Sequence, residues 1–278
     1  MSSLESFFPS LGFLGAGNMA GALLRGTAGR GLLSPERVWA CDVIADKLQA
    51  LQQELKIQVT GEPASLVRQA RSIVLAVKPQ DLLAVLDAIR GAVTPDHLIV
   101  SIIAGKAIAT LAEHLPALTR IVRVMPNTPA LIGLGAAGVA AGPHATARDL
   151  EATLELFRAV GIATQVEERD LDAVTALSGS GPAYVYRFME ILVEAGVALG
   201  LKPEVAAPLA LQTVLGAAQM ARESPESLSE LRRRVTSPGG TTAAALAKFE
   251  ELGLADVLKA GLTAARDRSI ELAKQSGY

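Results

Sequence analysis

The stretch LGFLGAGNMAGALLRG, residues 11–26, decides the fold of the first half of the chain. Four apolar residues lead into Gly15, Gly17 and Ala20, a G-x-G-x-x-A pattern, and residues with helical apolar spacing follow. A strand that turns through this pattern into a helix is typical of a dinucleotide-binding βαβ unit. Gly15 permits the tight turn, Gly17 lets the backbone approach a pyrophosphate, and Ala20 permits close helix packing. A glycine-rich turn without a ligand is the alternative.

Outward from this stretch, short apolar runs alternate with helix-like segments as far as about residue 166. The strand-like runs are residues 11–14, 38–41, 56–60, 72–77, 97–103 and 120–125. Helical spacing occurs in residues 45–55, 63–70 and 80–89. Continuous apolar runs are typical of strands that are buried on both faces, and the alternation implies right-handed crossovers. The sequence therefore predicts an α/β fold, with a Rossmann-type, doubly wound parallel sheet in residues 1–166.

The pattern changes after Glu167, where comparable strand runs no longer occur. Instead, apolar residues keep one face of a long helix: Tyr184, Phe188, Ile191, Leu192, Ala195 and Leu199. Turns are indicated at Pro203 and at residues 224–227 and 237–240. We therefore predict that residues 167–278 form a second, all-helical domain.

Composition restricts the class of protein. The 278 residues are 50% hydrophobic, and the formal net charge is −2 with basic and acidic residues interspersed, which argues against a nucleic-acid partner. Cys41 is the single cysteine, and the first ten residues do not resemble a secretory signal. The most apolar window, residues 130–142, is interrupted by four glycines and is too short to span a membrane. We expect a cytoplasmic protein without a membrane segment.

Three further places lie where strand ends would meet a cofactor. Asp42 follows the second strand and is suited to the ribose hydroxyls of NAD, although Lys47 could reach a 2′-phosphate; a helix cap or a solvated loop residue is the alternative. Lys78, in AVKPQ (76–80), could meet an anion or be solvated. Asn127, in MPNTPAL (125–131), lies at the same predicted edge, where a plain turn would also explain it.

Two Ser, Gly and Pro loops precede helices in the second half. LSGSGPAYVYRFMEIL (177–192) and SPGGTT (237–242) each offer free backbone N–H groups at a helix start. Two such ends facing one cleft would suit a small carboxylate. Helix capping alone is the alternative for each loop.

Together these motifs carry a family resemblance. GFLGAGNMA, AVKPQ, RVMPNTPALIGLGAAGV, DAVTALSGSGPAYVYRFMEIL and RVTSPGGTTAAAL, in this order and spacing, resemble pyrroline-5-carboxylate reductase over nearly the whole chain. The resemblance implies NAD(P)H-dependent reduction of 1-pyrroline-5-carboxylate to L-proline. It also implies dimers with interlocked helical domains, often assembled into decamers, in which the SPGGTT loop completes a site on the partner's nucleotide domain.

The resemblance assigns site residues by motif. Thr242 is the implied catalytic residue, near the ring nitrogen of the substrate. The implied substrate-binding residues are Ser180, Gly239, Gly240, Thr241 and Thr242. The implied cofactor-binding residues are Gly15, Ala16, Gly17, Asn18, Met19, Ala76, Val77, Lys78, Pro79 and Asn127. The spacing after the second strand adds Asp42 to this set. Many members carry Ser, Arg or Thr where this chain has Cys41 and Asp42, so the preference between NADH and NADPH stays open.

Two other classes of NAD(P)H-binding protein are the alternatives to this family. A β-hydroxyacid dehydrogenase would need a lysine on the long helix, and residues 182–199 contain none. A redox sensor that binds NAD(P)H without turnover would leave the two loops unexplained. The implied reduction of a cyclic imine requires neither a metal nor a covalent nucleophile. His97, His114 and His144 lack partners at ligand spacing, so we expect these histidines at the surface.

Overall fold

A computed structural model of the protein describes residues 3–275, and within them eight strands form one sheet. The strand order is β3-β2-β1-β4-β5-β6-β7-β8. The strands are β1 (Leu11–Leu14), β2 (Val38–Cys41), β3 (Gln58–Thr60), β4 (Ser72–Leu75), β5 (Leu98–Ser101), β6 (Arg120–Met125), β7 (Gly135–Ala141) and β8 (Gly161–Gln165). All neighbours pair in parallel except β6 and β7, which are antiparallel. The order reverses between β1 and β4, which is the switch point of a doubly wound sheet.

Helices cover both faces of this sheet. They are α1 (Ser3–Phe7), α2 (Asn18–Thr27), α3 (Ala45–Leu55), α4 (Pro63–Gln69), α5 (Leu82–Ile89), α6 (Ile108–His114) and α7 (Ala147–Arg158). Two apolar clusters lie on opposite faces, and neighbouring strand residues alternate between them: Val74 belongs to one and Ile73 and Leu75 to the other. Because both faces are buried, the strands read in the sequence as continuous apolar runs, as predicted.

β7 and β8 were not among the predicted strands. β7 has the sequence GAAGVAA, in which small residues replace the β-branched ones that usually indicate a strand. Close packing requires the small size: a Cβ on Gly161 would overlap the backbone of Gly135, and a Cβ on Gly135 would lie 2.8 Å from that of Ala130. β7 returns antiparallel beside β6, the one antiparallel pair among the described strands of a sheet that is otherwise parallel as predicted.

Beyond β8 the described part of the chain contains helices and turns only. These are α8 (Leu171–Val174), a π-helical turn (Thr175–Gly179), α9 (Gly181–Ala198), α10 (Pro203–Glu223), α11 (Leu228–Arg234), α12 (Thr241–Glu251) and α13 (Leu254–Gln275). The predicted fold class, a Rossmann-type sheet domain followed by helices, is confirmed. None of the helices within residues 3–275 is long and apolar enough to cross a membrane.

The chain divides into two compact units. One contains the chain as far as Ser180 together with the stretch from Ala265, and the other is Gly181–Ala264. Strand structure ends at Gln165, close to the predicted boundary after residue 166, but the first helical turns belong to the sheet unit. The domain limits 1–166 and 167–278 therefore stay a prediction.

The expected surface position of His97 is wrong. The residue is buried, its Nδ1 atom accepts a hydrogen bond from the Thr94 backbone N–H (3.0 Å), and its Nε2 atom lies 3.0 Å from the Val67 carbonyl oxygen. Since Nδ1 accepts, Nε2 carries the proton and donates it to Val67. The ring thus ties α4 to the turn before β5, a contact that spacing along the chain does not reveal.

Candidate active site

A cavity of about 480 Å³ opens at the carboxyl ends of β1, β2 and β4. This is the switch point of the sheet, where ligands of doubly wound folds bind. Its lining consists of Leu14, Gly15, Gly17, Cys41, Asp42, Val43, Ile44, Lys47, Gly61, Pro63, Ala76, Val77, Lys78, Asp81, Ala84 and Val85. The volume falls in the range typical of cofactor sites, about 300–1,000 Å³.

The glycine loop lies directly on the end of β4. Gly15 has φ +98°, and a Cβ there would lie 2.5 Å from the Ala76 carbonyl oxygen, so this position requires glycine. Gly17 is different: its backbone is extended, and within the described residues no atom outside its own helix and chain neighbours lies within 4 Å of an ideal Cβ. The free space above Gly17 faces the start of α2, which no described side chain caps. Both features fit the pyrophosphate of a dinucleotide.

Asp42 holds the glycine loop against the end of β2. One carboxylate oxygen accepts a hydrogen bond from the Ala16 N–H (2.8 Å), and the other accepts one from the Ile44 N–H (2.9 Å). The sequence predicted ribose binding, with a helix cap or a solvated loop residue as the alternative, and none of these includes the tether. Each oxygen can still accept a further hydrogen bond, so the tether leaves room for ribose hydroxyls.

The cavity contains part of the predicted cofactor set. Six of the predicted residues line it: Gly15, Gly17, Asp42, Ala76, Val77 and Lys78. Five do not belong to the lining: Ala16, Asn18, Met19, Pro79 and Asn127. The side chain of Asn127 instead binds the backbone of Ser178 and Ala136.

Two apolar residues of the lining, Val43 and Ile44, were not among the predicted site residues. Val43 and Ile44 are exposed next to Asp42 and border the cavity, where they could cover the flat face of an adenine. Two exposed apolar residues after a buried strand were the available signal. With the open Gly17 and the uncapped helix, the lining fits a dinucleotide.

Cys41 borders the same cavity but is chemically inert. Its side chain is buried, and burial together with the negative charges of Asp42 and Glu62 raises the pKa of the thiol to about 11. A thiol with such a pKa stays protonated at neutral pH and is a poor nucleophile. Cys41 therefore packs as a small apolar side chain at the end of β2.

The SPGGTT loop forms a turn that ends at the start of α12. Gly240 N–H donates to the Ser237 carbonyl oxygen (3.0 Å), and Gly239, at the third position of the turn, has φ +70°. Proline followed by glycine with positive φ is the requirement of a type II turn. The turn uses the Gly240 N–H, which the sequence analysis had assigned to the substrate. No side chain within residues 3–275 caps α12, so the start of this helix, at Thr241 and Thr242, is suited to an anion.

Ser180 follows the π-helical turn Thr175–Gly179 in the sheet unit, whereas the SPGGTT loop belongs to the other unit. The Ser180 N–H donates to the Thr175 carbonyl oxygen (2.8 Å), five residues earlier, and the side chain is half-buried. π-helical turns occur frequently at functional sites because they redirect the residues that follow them.

Family models and known proteins match nearly the whole chain. A model described as pyrroline-5-carboxylate reductase dimerisation matches residues 168–272, and one described as NADP oxidoreductase, coenzyme F420-dependent, matches residues 10–105. The pyrroline-5-carboxylate reductase of Pseudomonas aeruginosa is 45% identical over 270 residues, which cover 97% of this chain and 98% of the relative.

Solved structures agree with the sequence matches. A structure of the pyrroline-5-carboxylate reductase from Coxiella burnetii has a TM-score of 0.91 at 36% identity and covers 95% of this chain and 98% of its own. The Plasmodium falciparum pyrroline carboxylate reductase, solved with NADP bound, has a TM-score of 0.82 at 32% identity, with the same coverage.

These matches confirm three predictions from the sequence: the family, an NAD(P)H-dependent oxidoreductase, and a helical part that includes a dimerisation domain. The preference between NADH and NADPH stays open. Because relatives with more than 30% identity cover almost all of the chain, the chain belongs to the pyrroline-5-carboxylate reductase family.

Proposed function

We propose that this chain reduces 1-pyrroline-5-carboxylate to L-proline, the last step of proline biosynthesis, with NADH or NADPH. The observation that carries the proposal is the match to pyrroline-5-carboxylate reductases over 97% of the chain at 45% identity. The cavity at the switch point supports it, since its lining fits a dinucleotide. A cytoplasmic location is part of the same proposal.

The cofactor would lie along the cavity. Gly15, Ala16, Gly17, Asn18 and Met19 would surround its pyrophosphate at the start of α2, where backbone N–H groups and the helix dipole favour an anion. Asp42 would accept the ribose hydroxyls while it keeps its two backbone hydrogen bonds. The remaining assigned contacts come from the loop after β4: Ala76, Val77, Lys78 and Pro79. Asn127, which the motif also assigned to the cofactor, binds the backbone of Ser178 and Ala136 instead.

The substrate carboxylate would lie on the uncapped start of α12. Support comes from the turn geometry, which leaves the N–H groups of Thr241 and Thr242 at the helix end and exposes Gly239. Gly240 would contribute through its small size, since its N–H already binds Ser237. Ser180 would contact the substrate from the other loop.

The mechanism that we propose relies on orientation. When bound, the reduced nicotinamide supplies the hydride, and the protonated ring imine is already electrophilic. Holding two reactants in register contributes about 7–11 kcal/mol. The Thr242 hydroxyl would donate a hydrogen bond to the ring nitrogen as that atom gains a lone pair, and the proton would come ultimately from water. No step in this scheme uses a metal or a covalent nucleophile.

The finer assembly is also a proposal: a homodimer with interlocked helical domains, with the decamer as the larger form. Support comes from large apolar side chains that the helices of the second unit leave exposed, among them Tyr186, Phe188, Ile191, Leu209, Leu211 and Leu215. A single chain therefore leaves apolar surface on these helices that a second copy would cover.

Initial rates of NADH and NADPH oxidation, measured in parallel with 1-pyrroline-5-carboxylate, test the function. We expect saturable turnover, with proline as the product. If folded protein that binds a dinucleotide turned over neither cofactor, the proposal would be abandoned in favour of a non-catalytic NAD(P)H-binding protein. The oligomer is tested on the same sample by analytical ultracentrifugation, where a monomer at micromolar concentration would contradict the dimer.

A further inference from the structure

The side-chain amide of Asn127 is bound at both ends by backbone groups. Its Nδ2 atom donates to the Ser178 carbonyl oxygen (3.0 Å), and its Oδ1 atom accepts from the Ala136 N–H (2.8 Å). Ala136 lies in β7, and Ser178 lies in the π-helical turn. One half-buried side chain thus joins three segments that are distant in sequence: the loop after β6, the start of β7 and the π-helical turn.

The Ser178 carbonyl needs this donor because of the residue four positions later. In an α-helix it would accept from the N–H of residue 182, but residue 182 is proline, which has no N–H. A backbone carbonyl that is shielded from water and left without a partner costs free energy comparable to a lost hydrogen bond. The Nδ2 atom of Asn127 supplies the donor that Pro182 lacks.

Side-chain packing also brings the end of β6 into direct contact with the π-helical turn. An ideal Cβ on Gly179 would lie 2.5 Å from the Cε atom of Met125, so a larger residue here would require the end of the methionine side chain to move. Met125 ends β6 two residues before Asn127. The π-helical turn is therefore held by the hydrogen bond from Asn127 and packs against the end of the Met125 side chain.

We propose that Asn127 is a positioning residue: through Ser178 it fixes the π-helical turn and thereby the orientation of Ser180. The inference deepens the proposed function and rests on it, since Ser180 is a proposed substrate contact. It differs from the cofactor role that the sequence predicted for Asn127, because the amide points to the protein backbone. Loss of the contact should affect the substrate and not the dinucleotide.

Asn127→Asp is the test, because it keeps an oxygen for the Ala136 N–H and places a carboxylate oxygen opposite the Ser178 carbonyl. We expect hydrogen exchange of the amides in residues 175–181 to accelerate about tenfold or more as this turn opens. We also expect the KM for 1-pyrroline-5-carboxylate to rise about tenfold, with the Kd for NADH and NADPH changed less than about twofold.

Asn18→Asp in the glycine loop is the matched control. It makes the same chemical change at the start of α2, so it should weaken dinucleotide binding and leave exchange in residues 175–181 unaltered. If Asn127→Asp fails to fold, Asn127→Ser carries the same measurements, since it removes both hydrogen bonds without adding a charge.

The exchange measurement does not depend on activity, so it remains valid if the wild-type protein shows no turnover and the proposed function fails. Unchanged exchange in residues 175–181 would overturn the positioning role. So would a tenfold weaker dinucleotide affinity with unchanged exchange, which would identify Asn127 as a cofactor ligand instead.

Discussion

Replacement of Gly17 by alanine should abolish tight dinucleotide binding and leave the fold intact. The backbone at Gly17 (φ −76°, ψ −173°) is open to any residue, and the described structure leaves free space for a Cβ. Alanine at an N-cap costs up to about 1 kcal/mol, while the lower entropy of the unfolded chain returns about 0.4–1 kcal/mol. We therefore expect the free energy of unfolding to change by less than about 1 kcal/mol.

The effect of Gly17→Ala should instead appear as weaker binding of the dinucleotide. The new methyl group would occupy the space through which the pyrophosphate reaches the N–H groups of α2. Loss of one charge-assisted hydrogen bond costs about 1.5–3 kcal/mol, which corresponds to a Kd about 10- to 150-fold higher for NADH and NADPH alike. Titration of the protein's fluorescence with each dinucleotide would measure it.

Gly15→Ala is the matched control, two residues away in the same loop. Its φ of +98° and the 2.5 Å approach to the Ala76 oxygen predict a cost to folding. Left-handed backbone costs about 1–2 kcal/mol and overpacking about 1–3 kcal/mol, so the free energy of unfolding should fall by about 2–5 kcal/mol. Melting curves of both variants separate the two effects. Wild-type affinity in Gly17→Ala, or a wild-type Tm in Gly15→Ala, would refute this account of the loop.

Three further predictions concern the site. Asp42→Asn should shift the ratio of kcat/KM toward NADPH by about tenfold or more, because a charge facing the 2′-phosphate is removed; an unchanged ratio would show that Asp42 acts only as the tether of the glycine loop. Thr242→Ala should lower kcat at least about tenfold with unchanged Kd for NADH, whereas Thr213→Ala, on an exposed helix face, should behave as wild type; near-normal turnover of Thr242→Ala would contradict its role. Cys41, with its thiol pKa of about 11, should react with iodoacetamide at pH 8 about a hundredfold more slowly in the folded protein than in urea, and equal rates would contradict its burial.

The strongly periodic elements were predictable because their patterns are local. β1, β2, β6 and α3 occupy the residues that the apolar runs indicated. Strands of a sheet covered on both faces must be apolar along their whole length, and helix starts must leave N–H groups free. The glycine loop and SPGGTT could be found for the same reason.

Tertiary structure decided what depends on partners distant in sequence. β7 pairs through small residues that lack strand propensity, and only the close approach of Gly135 and Gly161 explains them. The buried His97 binds the carbonyl of Val67, 30 residues earlier, and Asp42 accepts from the amide of Ala16, 26 residues before it.

Asn127 shows most clearly the difference between what the sequence predicts and what tertiary structure decides. Its motif could be read from the sequence, but the direction of its amide depends on Ser178, 51 residues later. The sequence by itself thus determined the family and the fold class, and it predicted which loops carry the site, because these depend on periodicity and motif. Only the tertiary structure decided which side chains turn toward the cavity and which bind the backbone, because hydrogen-bond partners from separate segments meet only in the folded chain.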